Sequence, residues 1–122
     1  MNKERVQGCG NAPIFVSIHA NKFPIAKYRG IQVFYSPNDK KSEALAILIR
    51  ENVIENLGEH NDRAVKKADT SIYVLDRAKC PAVLIECGFM SNPDDFALMT
   101  SEAYQEELAF VIANSIMEYI NL

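Results

Sequence analysis

The stretch "PAVLIECGFMSN", residues 81–92, decides the fold. Ala82, Val83, Leu84 and Ile85 follow one another with no polar break, the pattern of a strand buried on both faces. That run ends on a carboxylate, Glu86. An ionised Glu without a partner is costly in a core, so this strand must deliver Glu86 to a rim where it is paired or used.

Working outward, "IFVSI" (residues 14–18) is a second apolar, β-rich run, with Pro13 before it and His19 just after it. "GIQVFYS" (residues 30–36) alternates Ile31, Val33 and Tyr35 with Gln32, Phe34 and Ser36, and reads as a strand at or near a sheet edge, ended by "SPND". "SIYVL" (residues 71–75) reads as a short strand after the polar loop "HNDRAVKKADT".

Helical spacing dominates elsewhere. From about Asp39 to Leu57, apolar residues recur every three or four positions and Gly58 stands where a C-terminus favours a left-handed residue. "NPDD" from Asn92 predicts a helix start: Asn92 as cap, Pro93 at the first position, Asp94 and Asp95 at the positive end of the dipole. After a break near Thr100–Ser101, Tyr104, Leu108, Val111, Ile112, Ser115, Ile116 and Tyr119 mark a helix covering one sheet face. Strands alternating with helices predict an α/β fold with a mostly parallel sheet flanked by helices.

At 122 residues the chain is expected to form a single domain, residues 1–122, with one core. Its charge of −3, from 13 basic and 16 acidic residues, leaves no basic stripe, and no cluster of aromatics alternates with Lys or Arg as a single-strand nucleic-acid surface needs; nucleic acid is not expected as a partner. Apolar runs are too short for a membrane span, and the opening "MNKERVQGCGNAP" lacks the apolar region of a secretory signal. Cys9, Cys80 and Cys87 are too few and too irregular for a disulfide framework, and each is expected as a free thiol.

In open α/β sheets, ligands bind beyond the carboxyl ends of parallel strands. His19 follows "IFVSI" and Glu86 follows "AVLI", so parallel pairing of these strands opens both side chains into one cleft. An imidazole and a carboxylate so placed suit either a proton-transfer pair or a divalent-metal site. A third option, Cys87 as nucleophile with His19 as base, is weakened by alternation, since Glu86 and Cys87 point to opposite faces. His60, Lys27, Arg29, Arg63, Lys66 and Lys67 read as solvated.

"FVSIHAN" (residues 15–21), "GIQVFY" (30–35), "IYVL" (72–75) and "PAVLIECGFMSNPDD" (81–95) together resemble the zinc-dependent N-acetylmuramoyl-L-alanine amidases of the amidase_3 type. "FYSPNDKKSEALAILIRENV" and "NDRAVKKADTSIYVL" look most like the spore-cortex, germination-specific branch. The resemblance implies a peptidoglycan hydrolase, with a phosphorylase/hydrolase-like fold, cutting the amide between N-acetylmuramic acid and L-alanine. It implies His19 as a zinc ligand, Glu86 as general base, Asn21 steadying the segment that carries His19, and Phe89 and Asn92 bordering the substrate groove. It also implies work outside the cytoplasm, in cell wall or spore cortex.

The departure from the family pattern is the absence of the "PGHGG" segment and of the helix whose Glu completes the zinc site. The chain therefore looks like the C-terminal part of an amidase domain. With His19 as its one matching His ligand, it is expected to bind zinc weakly and to hydrolyse little by itself, and its uncovered sheet edges are expected to promote self-association. The alternative is a non-catalytic peptidoglycan-binding or regulatory remnant of the same fold.

Overall fold

The computed structural model of the chain describes residues 14–21 and 28–122. In chain order these form β1 (Phe15–Asn21), β2 (Gln32–Tyr35), α1 (Lys41–Leu57), a 3-10 turn (Glu59–Asn61), β3 (Lys66–Lys67), α2 (Tyr73–Arg77), β4 (Ala82–Phe89), α3 (Pro93–Met99) and α4 (Glu102–Ile120).

The four strands make one sheet in the order β1-β4-β2-β3. β4, the strand of the apolar run, is flanked on both sides: β1 pairs with it in parallel, β2 antiparallel. β2 and β3 are parallel, so the sheet is mixed, with two parallel pairings and one antiparallel. β2 lies second from the edge, shielded by the two-residue β3.

Alternation along β4 splits the apolar residues between two cores. Val83 and Ile85, neither measurably exposed, join Val33 and Ile31 under α1 and α4, which contribute Leu45, Ala46, Ile49, Val53, Leu108, Val111 and Ile112. Ala82 and Leu84 face the other way, onto Ala68, Val74, Leu75, Ala78 and Cys80. Full burial of one Leu or Ile contributes about 2 kcal/mol, so β4 sandwiched between both clusters anchors the sheet.

The expected helices form where their signals stand. The N–H of Gly58, at φ +116°, reaches Ile54 O at 3.2 Å and closes α1. Asn92 Oδ1 accepts the N–H groups of Asp94 and Asp95 at 3.0 and 3.1 Å and starts α3. Ser101 caps α4, which buries Tyr104, Leu108, Val111, Ile112 and Ser115. Among the described residues no helix is long and apolar enough to cross a membrane.

Two expectations are corrected. Residues 71–75 do not form a strand. Asp69 Oδ1 accepts the Ser71 N–H at 2.8 Å, a turn forms, and the Ile72 carbonyl then accepts from Leu75 and Asp76 to begin α2. The β-prone residues there are driven by burial of Val74 and Leu75 against the sheet, which overrides local preference. Pairing falls instead on Lys66–Lys67, inside the expected loop, where both side chains stay exposed. The second correction concerns Cys80, which is disulfide-bonded rather than a free thiol. Cys9 lies outside the described residues.

Candidate active site

The carboxyl end of the β1/β4 pair carries the site. β1 and β4 run in register from Phe15↔Ala82 to His19↔Glu86, which puts the imidazole and the carboxylate side by side on one face. On the other side of β4, Gln32 pairs with Glu86. A single row, His19, Glu86, Gln32, thus crosses three strands.

Beyond this row the register shifts: Asn21 pairs with Phe89, leaving Cys87 and Gly88 opposite Ala20. The bulge resets the alternation, so Phe89 returns to the Glu86 face while Cys87 stays behind with the α1/α4 core. The side chain of Asn21 lies outside the described part of the structure.

Glu86 is half-buried, and its Oε2 is buried without a hydrogen-bond partner. Loss of hydration lifts its pKa above the ordinary 4.5, opposed by the neighbouring His19. A carboxylate kept dry and basic in this way suits acceptance of a proton. His19 is exposed, and its Nε2 shares a 2.9 Å hydrogen bond with Ser17 Oγ two residues earlier on the same face.

Cys87 stands apart from this chemistry. Burial first, then the charge of Glu86, pushes its thiol up to about 11, so it is protonated at neutral pH. It lines an apolar cavity of about 330 Å³ with Ile18, His19, Met99, Tyr104 and Leu108, so the cavity borders the site at His19.

Other residues differ from their sequence readings. Arg63 is not simply solvated: its Nε donates to Gln32 Oε1 at 2.9 Å, and its guanidinium lies over the rings of Phe89 and Tyr28 at 4.9 and 5.2 Å. Arg29 pairs with Asp94 at 3.5 Å and with buried Asp95 at 3.7 Å. His60 is partly buried, with an unpartnered Nε2. Lys27 lies outside the described residues.

Phe89 is only 4% exposed and serves as the floor under Arg63. Asn92 is the cap of α3. Sequence reading passed over Gln32, Arg63 and Asp95. Gln32 had a signal, an amide within an otherwise apolar strand facing the Glu strand; Arg63 and Asp95 depend on contacts 31 and 65 residues distant.

Zinc, implied by the resemblance, needs three protein ligands and an open position at a catalytic site. Among the described residues no three His, Cys, Asp or Glu side chains come together to hold a metal. His19 with Glu86 therefore does not fit a complete zinc site.

Comparison with known proteins agrees with this architecture. The chain is 34% identical over 108 residues to the germination-specific N-acetylmuramoyl-L-alanine amidase of Bacillus subtilis, a match covering 88% of this chain and 45% of the relative. It superposes on the CwlD amidase of Clostridioides difficile, solved in complex with the GerS lipoprotein, with a TM-score of 0.89 and 40% identity, over 98% of this chain and 61% of that one. The amidase AmiC2 of Nostoc punctiforme also gives a TM-score of 0.89, at 31% identity, over 100% and 67% of the two chains. The chain thus spans about half the length of the first two curated relatives it matches, 45% and 57%. The profile of the amidase_3 family, described as N-acetylmuramoyl-L-alanine amidase, matches residues 2–118, and the chain belongs to that family.

Proposed function

We propose that this chain carries the peptidoglycan-facing, base-bearing part of an N-acetylmuramoyl-L-alanine amidase. The observation that carries the reading is the His19↔Glu86 register, with a Glu86 oxygen dry and unpartnered at the rim. Glu86 accepts a proton from the attacking water as its oxygen bonds to the lactyl carbonyl carbon. It returns that proton to the departing L-alanine nitrogen as the amide C–N bond breaks. The products are a carboxylate on the sugar and a free amine on the peptide.

His19 is an imidazole fit to ligate a metal, yet the described residues offer too few donors to hold zinc. We therefore expect little hydrolysis from this chain by itself. The lack of a three-donor group among the described residues also favours the second reading, a non-catalytic peptidoglycan-binding remnant. β1 forms one edge of the described sheet and leaves Ile18 56% exposed, which supports pairing of this edge with another chain.

Co-sedimentation with purified peptidoglycan tests the recognition step. The chain is expected to pellet with it, with or without a chelator; failure to pellet overturns the proposal. Supplying zinc and assaying for released amine separates the two readings: amine release that Glu86→Gln abolishes supports the amidase, and its absence leaves the remnant. Calorimetric zinc binding tighter than micromolar would overturn the reading of an incomplete donor set.

A further inference from the structure

Arg63 is held more firmly than a surface cation needs to be. Arg50 donates to the backbone carbonyls of Asp62 and Arg63 at 2.8 and 2.9 Å, and Gln32 Nε2 donates to the Ala64 carbonyl at 2.8 Å. Just before them, Asn61 Oδ1 accepts the N–H of Ile31 at 3.0 Å, tying the same loop to the start of β2. The side chain is fixed in turn by the bond to Gln32 Oε1 and by the Phe89 and Tyr28 rings beneath it.

Gln32 is 2% exposed and has no freedom to release Arg63. With Nε committed, the two terminal nitrogens remain, and among the described residues neither makes a hydrogen bond or an ion pair. Nor are they among the buried polar atoms lacking a partner, so they face solvent. A guanidinium fork oriented in advance, next to aromatic surface, loses little entropy on receiving a planar anion.

Its position relative to Glu86 defines what it can read. Gln32 neighbours Glu86 across the sheet, about 5 Å away, and Arg63 lies one hydrogen bond further along that row. This is the span of one or two residues of extended peptide. Glu86 is not its partner: among the described residues no ion pair joins the two, and Glu86 Oε2 has no hydrogen-bond partner.

We propose that Arg63 is a specificity-determining residue: its terminal nitrogens receive a carboxylate borne by the peptide portion of the substrate, one or two residues from the bond facing Glu86. The proposal rests on the amidase reading above. It predicts discrimination between an acidic stem peptide and the same peptide amidated.

The test is equilibrium binding of the full chain to N-acetylmuramoyl-L-alanyl-D-glutamate, with the glutamate carboxylates free or both amidated, followed by calorimetry and by the NMR signal of the Arg63 Nε–H. The wild type is expected to bind the free acid about ten-fold more tightly, with a preference that shrinks as salt rises and with a shift of the Arg63 signal by the acid alone. In Arg63→Met the preference is expected to vanish, and in Arg63→Lys to be reduced. Equal binding of acid and amide by the wild type, or a preference that survives in folded Arg63→Met, overturns the inference and leaves the amidase reading standing. Should Arg63→Met fail to fold, the wild-type preference and the Arg63 signal decide the matter. Binding of neither ligand overturns both.

Discussion

Asp95 Oδ2 accepts the backbone N–H of Gly30 at 2.8 Å across 65 residues of sequence, and the same oxygen accepts the Phe89 N–H at 2.9 Å. One carboxylate, 3% exposed, thereby ties the segment entering β2 to the bulged end of β4 and to the first turn of α3. Removing it leaves the N–H groups of Gly30 and Phe89 without their acceptor and leaves Arg29 to its pair with Asp94. Asp95→Ala is expected to cost about 3 kcal/mol and Asp95→Asn, which keeps one acceptor oxygen, roughly half of that. Urea denaturation of both variants measures this; a loss below about 1 kcal/mol for the alanine would show that the clasp is not a stabilising element.

Gly30 is fixed by a different constraint. Its φ is +91°, and a Cβ there would stand 2.8 Å from the backbone carbonyl oxygen of His60. Neither strain nor clash can be relieved by a side-chain rotation. Gly30→Ala is expected to destabilise the chain by about 3 kcal/mol, even though elsewhere such a change stabilises by restricting the unfolded state. Thermal melting checks it, and a variant as stable as the parent would mean that the 3-10 turn yields freely.

Much of this arrangement was legible in the sequence because it follows from local signals. The apolar run before Glu86 gave the central strand, and the parallel run before His19 gave its neighbour; together they implied the His19–Glu86 pairing. Asn92, Pro93 and Gly58 announced helix ends through backbone chemistry that acts over three or four residues. What could not be read depends on tertiary contact. The residues around Tyr73 have strand-like composition but form a helix because two of them are buried against Ala82 and Leu84. Arg63 looked like one of several loop charges until Gln32 and Phe89, from two different strands, met beneath it. The antiparallel placement of β2 likewise follows from a chain reversal that period-two alternation does not encode.

Cys87 offers a chemical test of which face of β4 carries the chemistry. With its thiol pushed up to about 11, first by burial and then by Glu86, only about one molecule in a thousand is a thiolate at pH 8. Alkylation by iodoacetamide is therefore expected to be slow and to climb about ten-fold per pH unit from pH 7 to 9.5, without a plateau. A plateau near pH 8.5 would reveal an accessible, ordinary thiol. Cys87→Ala is expected to leave the proposed peptidoglycan binding unchanged, because the side chain packs with the α1/α4 core on the face opposite Glu86.

The final prediction concerns Glu86 itself. Its folded pKa is raised above 4.5 by loss of hydration, with His19 pulling the other way. The folded chain therefore holds this proton to higher pH than the unfolded chain does. Stability from this group is complete below the unfolded value and is lost as pH rises from there through the raised folded value. One oxygen of this carboxylate is buried without a partner, so ionisation there comes at a cost to the fold. Glu86→Gln carries no charge to desolvate, so it is expected to be more stable than the parent by about 1 kcal/mol at pH 7. Below pH 4 the parent is protonated in both states, and the advantage should disappear. Melting curves of both proteins at pH 7 and pH 3.8 decide it: a glutamine variant that is less stable at pH 7, or a gap that does not change with pH, would show that the carboxylate finds a partner and that burial does not govern its titration.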